Sequence, residues 1–235
     1  MEFKDIQIIR SRRRTIALQI EENGRVTLRA PERASEQMMR MFVQEKSSWL
    51  ERNVMKQEAA YAKRPRRRFE HGEMFLYVGA ELPLLVEAPP LNKGRWGGVS
   101  NRKPFEVSDA FYLCETAKHR AESIMKRWYK SRARFLFNDR AEFYAQLMNV
   151  PFENIKLSSA TTRWGSCGAG NTLNFNWRLI MAPMVVIDSV VVHELAHCRY
   201  KHHGKPFWSF VERHCPDYDV HDRWLKENGP RLHWD

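Results

Sequence analysis

The chain has 235 residues, 43% of them hydrophobic and eight of them tryptophan, so it can bury a core, and composition excludes a disordered chain. Basic residues outnumber acidic ones 39 to 28, a formal charge of +11. No apolar run approaches the roughly 18 residues of a membrane span, which excludes one, and "MEFKDIQIIRSRRR" reads as no secretion signal.

The positive charge is uneven: residues 1–70 carry +7 and the rest +4. It concentrates in "RSRRR" (Arg10 to Arg14) and "KRPRRR" (Lys63 to Arg68). Such runs read first as a solvated face or a linker. Their second reading is an anion-attracting patch, which makes weak nucleic-acid binding through the basic N-terminal region an expectation to test.

In "TIALQIEENGRVTLRAP" apolar and polar residues alternate on both sides of Asn23-Gly24, a hairpin signal. From Ser35, a fitting N-cap, the period becomes helical through residue 60, with Met38, Met41, Phe42, Trp49 and Val54 expected to face a core. "EMFLYVGAELPLLVEA" reads as two strands around Gly79, and "PPLNKGRWGG" as a loop. Residues 114–149 form a long helical stretch that is expected to break near Phe137 to Asp139. Its apolar positions are Ile124, Trp128, Phe135, Leu136, Phe143 and Leu147. "NIKLSS" and "TLNFNWRLI" read as strands flanking the loop "RWGSCGAG".

"MVVIDSVVVHELAHCRY" then reads as a mostly buried helix marked by Ile187, Val190, Val191 and Leu195, with Asp188 near its first turn. "GKPFWSFVERH" restarts a helix at Pro206, and "VHDRWLKENGP" is a last one, stopped by Gly229 and Pro230. The expected fold class is α+β: a small β-rich N-terminal subdomain over residues 1–110, then a hydrolase domain over 111–235. The four cysteines, Cys114, Cys167, Cys198 and Cys215, form no CxxC pair. They read as reduced thiols of a cytoplasmic protein.

The chemistry gathers in "HELAHCRYKHH", residues 193–203. One helical turn separates His193 from His197, so both project from one face and can grip one tetrahedral ion. Glu194 lies beside the open position, where it can take a proton from an activated water and return it to a leaving group. A third ligand is needed. On a continuing helix His202 would point about 180° from His193 and His203 about 80° away, so neither reaches the ion without a bend. Gly204 and Pro206 place that bend directly after the pair. Geometry leaves the choice open, with the residue nearer the glycine favoured.

"TRWGSC", "RLIMAP", "VVHELAH" and "HGKPFW" occur in this order, and together they resemble the YgjP-like family of zinc metallopeptidases, related to the WLM and SprT-like groups. "KSSWLERN" and "YVGAELPLLVE" fit that family too, so the resemblance covers nearly the whole chain. It implies a zincin-like fold, a Zn2+ cofactor and His203 as third ligand, four residues before the Phe-Trp pair, with His202 a bystander. Gly204 departs from the serine or asparagine common there. His203 at +10 also matches metzincin spacing, but Tyr200 stands where those enzymes carry glycine.

The resemblance implies peptide hydrolysis on a polypeptide substrate, while some family members are described as nucleoside triphosphate (UTP) pyrophosphatases acting on a nucleotide. Both reactions use a metal-activated water. Arg163 is a candidate for contact with substrate or transition state, binding a phosphate or polarising a carbonyl; its alternative is packing on Trp164. Tyr200, His214, Tyr218 and His221 are further donor candidates, each read first as structural. Cys167 is read as no ligand and Cys198 as core. Phe207 and Trp208 are expected to hold His203 in place. An extended substrate is expected along a strand edge near "TLNFNW".

Overall fold

The computed structural model describes residues 3–21, 23–88 and 104–233. The "PPLNKGRWGG" segment expected as a loop lies outside them. Two compact units result, Met1–Pro65 and Arg66–Asp235. The division falls inside "KRPRRR" and not at residue 110. A cut at 110 would separate two strands that pair antiparallel, Phe105–Val107 and Phe111–Cys114. Within the basic run Lys63, Arg66 and Arg68 are exposed as expected, while Arg67 lies over the Phe75 ring at 4.5 Å and donates to the Met74 carbonyl at 2.7 Å.

The first unit holds β1 (Gln7–Ser11), β2 (Ala17–Ile20) and β3 (Val26–Pro31), then α1 (Glu36–Glu45) and α2 (Ser47–Ala62). The expected hairpin is β2 and β3, antiparallel with Leu18 opposite Leu28 and Ile20 opposite Val26. Its turn works because Gly24 takes φ +84° and the Asn23 side chain accepts from the Arg25 N–H at 3.0 Å. β1 pairs parallel to the other side of β3. Ser35 caps α1 by accepting from the Met38 N–H at 3.2 Å. The expected single helix divides at Lys46, and its core face is turned from the one expected. Val54 is buried and Phe42 packs against the core as expected, but Met39, Val43 and Leu50 are the other buried residues, while Met38, Met41 and Trp49 are exposed. Both sets have helical spacing, so period alone does not tell them apart.

In the second unit β4 (Met74–Tyr77), β5 (Ala80–Glu87), β6 (Phe105–Val107) and β7 (Phe111–Cys114) form a sheet of order β4-β5-β7-β6. α3 (Ala121–Met148) runs unbroken for 28 residues. The break expected near Phe137 is absent because Phe137 continues a buried row at four-residue spacing, Met125, Tyr129, Ala133, Phe137 and Ala141. Phe135, Phe143 and Leu147 face outward instead. β8 (Ile155–Ser158), β9 (Gly165–Cys167) and β10 (Leu173–Asn176) follow, in the order β8-β10-β9. β9 lies inside the expected loop, and "WRLIM" is a 3-10 segment capped by Asn176 rather than more strand.

Three helices complete the unit: α4 (Met184–Arg199), α5 (Lys205–His214) and α6 (Tyr218–Leu232). α4 is held from several sides. The turn at Val78–Gly79 donates to the carbonyls of Ile180 and Met181. A Cβ at Gly79 would lie 2.9 Å from Pro183 Cα, just before the helix starts. Arg140 of α3 grips Asp188 with two hydrogen bonds, at 2.7 and 2.9 Å, a paired geometry stronger than a single contact. The buried α4 face includes Ile187, Val190, Val191 and Leu195, as expected. α6 passes through Gly229 and Pro230 instead of stopping there. Gly229 is where the Trp164 ring packs, since a Cβ would sit 3.0 Å from it, and Pro230 falls in the last turn.

Among the described residues no helix is long and apolar enough to cross a membrane.

Candidate metal centre

α4 ends at Arg199, and the chain bends through Tyr200 to Gly204 before α5 begins with Pro206 in its first turn. The Gly204 N–H donates to the His202 carbonyl at 2.8 Å, a tight turn with His203 at its apex. That turn swings His203 back over α4. Its Nε2 lies 3.0 Å from His197 Nε2 and 3.1 Å from His193 Nε2. Among the described residues these three form the one cluster of side chains able to hold a metal ion. His202 is exposed and outside it.

The donor set fits a cation. His197 Nδ1 faces the Tyr200 carbonyl at 3.1 Å, so Nδ1 carries the proton and Nε2 a lone pair. His193 Nδ1 lies 2.9 Å from the Tyr218 hydroxyl, which can accept its N–H and so leave the Nε2 lone pair facing inward. A single His203 N–H cannot satisfy both lone pairs. A tetrahedral zinc with bonds of about 2.0–2.1 Å would hold nitrogens about 3.3–3.4 Å apart, close to the spacing present. Burial, with His197 and His203 adding to it, pushes His193 down to about 4. Burial also lowers His197. Both imidazoles are therefore neutral at pH 7, the form that ligates.

Phe207 of α5 is fully buried and its ring lies 5.0, 4.6 and 4.8 Å from those of His193, His197 and His203. It packs against all three, where contact with His203 alone was expected. Trp208 stacks on His203 at 5.5 Å while 40% exposed. Tyr218, at the start of α6, serves His193 through its hydroxyl, and burial raises its pKa, so it stays a phenol. The other donor candidates lie elsewhere in the network. His214 bonds the Phe210 carbonyl, His221 faces Cys215, and Tyr200 contributes its carbonyl while its ring packs on Phe210.

Glu194 is buried beside the cluster and its Oε2 has no hydrogen-bond partner among the described residues. Burial pushes its carboxyl up to about 8, against the pull of the Arg163 cation. Arg163 itself is exposed, two residues before β9. Against Glu194 lies Gly165 of β9, a residue not singled out from the sequence. A Cβ there would lie 2.5 Å from Glu194 Oε1 and 2.6 Å from its Cγ, so only glycine lets β9 approach the carboxylate this closely. A glycine inside a Trp-Gly motif was the available signal. Gly165→Ala is expected to displace Glu194 and lower kcat/KM for peptide hydrolysis by about 10²-fold, the effect of an ångström-scale misplacement, with the circular dichroism spectrum unchanged.

A family model for the YgjP-like, metallopeptidase domain matches residues 14–228. The chain belongs to the YgjP-like family. The match spans both units, and the α+β, zincin-like fold and the metallopeptidase class follow from it. A solved structure, the metallopeptidase zymogen jannalysin of Methanocaldococcus jannaschii, is 18% identical to this YgjP-like chain. The alignment covers 36% of this chain and 90% of that one, with a TM-score of 0.32. No curated protein matches the chain significantly. Neither nucleotide hydrolysis nor nucleic-acid docking gains support from these comparisons.

Proposed function

We propose that this YgjP-like chain is a cytoplasmic zinc metallopeptidase. His193, His197 and His203 are its metal ligands, and Glu194 is its general base and then acid. The observation that carries the reading is the convergence of three imidazole nitrogens beside a buried carboxylate oxygen that has no partner among the described residues. The four free cysteines fit a reducing compartment.

Zinc bound by these three imidazoles would supply a Lewis acid able to polarise water and carbonyl oxygens. Glu194 Oε2 takes the proton of the attacking water and delivers it to the leaving amide nitrogen. A raised pKa suits this double role, because a group near neutrality both accepts and releases a proton at working pH. Arg163 pulls the carboxyl towards its ionised form, and a cation held by the three imidazoles would add to that pull. Tyr218 and the Tyr200 carbonyl keep the Nδ1 protons in place, so that the Nε2 lone pairs stay on the metal side.

The strand edge near "TLNFNW" that can take an extended polypeptide is β9, the partner of β10. β10 carries that sequence and is the middle strand, its two edges already used by β8 and β9. β9 is an outer strand of its sheet and its Gly165 lies against Glu194. A peptide added along it passes the carboxylate, with Arg163 at one end to polarise the scissile carbonyl.

Chelation is expected to abolish hydrolysis of an unfolded protein, and one equivalent of Zn2+ to restore it; hydrolysis that survives complete metal removal would refute the reading. Tyr218→Phe keeps the ring stacked on His193 but loses the hydroxyl. It is expected to weaken zinc binding about 10- to 100-fold, measured by competition with a chromogenic chelator.

A further inference from the structure

Cys167, at the end of β9, and Cys198, one residue beyond His197, have their sulfur atoms 3.7 Å apart. They come from segments 31 residues apart in sequence, brought together because β9 packs on α4. Both are half-buried. Cys114 sits instead beside the Thr116 hydroxyl, and Cys215 is buried against His221. The four thiols therefore contain one pair and two singles.

We propose that Cys167 and Cys198 are a peroxide-sensitive dithiol whose disulfide joins β9 to α4 and switches the metal centre off. A disulfide bond is about 2.05 Å long, so closure must draw the two sulfurs together by about 1.7 Å. Little backbone is available to absorb that movement. On one strand Gly165, two residues before Cys167, already touches Glu194. On the helix Cys198 directly follows His197. An ångström-scale displacement passed on to Glu194 or His197 would cost about 10²-fold in rate.

The chemistry is a two-electron oxidation by a peroxide. Cys167 attacks a peroxide oxygen, the O–O bond breaks, and a sulfenic acid and one water form. Cys198 then attacks the Cys167 sulfur, the S–S bond forms, the S–O bond breaks, and its thiol proton leaves with hydroxide as a second water. Either thiol can take the first step, since both are half-buried, and the other closes the bond. Proximity then carries the second step. A dithiol or phosphine reductant reverses the change, as is usual for sensing disulfides in reducing compartments.

The inference rests on the metallopeptidase reading only for its activity readout; the bond itself is read by mass. The zinc-loaded chain is treated with a small excess of hydrogen peroxide, unfolded in a thiol-blocking reagent and mapped by peptide mass spectrometry. Two of the four thiols are expected to disappear, with the Cys167 and Cys198 peptides joined. Hydrolysis of unfolded protein should fall at least about tenfold and return on treatment with a phosphine. Cys198→Ser should leave Cys167 as a sulfenic acid with no joined peptide, while the double variant C114S/C215S should behave as wild type. Oxidation that leaves the Cys167 and Cys198 peptides unjoined, or a joined protein with undiminished hydrolysis, would overturn the proposal. An inactive reduced enzyme would count against the peptidase reading, and the joined peptide would still decide the dithiol.

Discussion

Glu194→Gln is expected to keep its zinc and to lose peptide hydrolysis by about 10²–10⁴-fold, the usual contribution of a positioned acid–base group. The amide has the carboxyl's shape, so contact with Gly165 survives, but it cannot take up the proton of the attacking water. Zinc content per chain separates this loss from a loss of metal. A variant that retains zinc and hydrolyses at the wild-type rate would remove Glu194 from the mechanism.

The same substitution has a second signature, in the stability of the metal-free protein. Burial holds Glu194 near 8 when folded, against an ordinary value of 4.5, so between those limits the folded state binds the extra proton. Stability therefore falls as pH rises through that window. His193 acts oppositely. Its folded value near 4, against 6.5, makes the unfolded state bind more protons and stability rise with pH, an effect complete by about pH 6.5. His197, also lowered, contributes in the same direction. The two tendencies offset each other at lower pH, and from pH 6.5 to 8 Glu194 alone sets the slope. The wild type should lose about 1–2 kcal/mol across that interval and Glu194→Gln almost none. Urea unfolding of the chelated proteins at the two pH values checks this.

His203→Ala is expected to weaken zinc binding by roughly 10²–10³-fold, if a total of about 10–16 kcal/mol is shared among four ligand positions. His202→Ala should leave it unchanged within about twofold, because His202 is exposed and remote from the cluster. The contrast is sharp because the two residues are adjacent, equal in chemistry and alike in solvent contact. Equal losses from both variants, or loss from His202→Ala alone, would show that the turn at His203 is drawn wrongly. Isothermal titration with Zn2+ reads both.

Local signals accounted for much of this architecture. Asn23-Gly24, the Ser35 cap and Gly79 each impose a backbone geometry that few other residues meet, and the structure uses all three. The HELAH spacing likewise dictates a shared face, and the imidazoles of His193 and His197 stand 5.0 Å apart. Illegible features were those decided by distant partners. β9 has only three residues, in a glycine- and cysteine-bearing run, and becomes a strand by pairing with β10. The phases of α1 and α3 depended on which of two apolar rows met a core. Tyr218 reaches His193 from 25 residues away, a separation that no helical or strand period connects. The choice between His202 and His203 belongs to the same class, because it depends on a turn and not on a repeat.

The most direct test of the account is to identify the bond that is cut. Wild-type chain carrying one zinc is incubated in parallel with an unfolded protein and with UTP, and the products are analysed for new amino termini and for pyrophosphate. The account predicts new amino termini from the protein and no pyrophosphate from the nucleotide. Pyrophosphate release with the polypeptide left intact would contradict it.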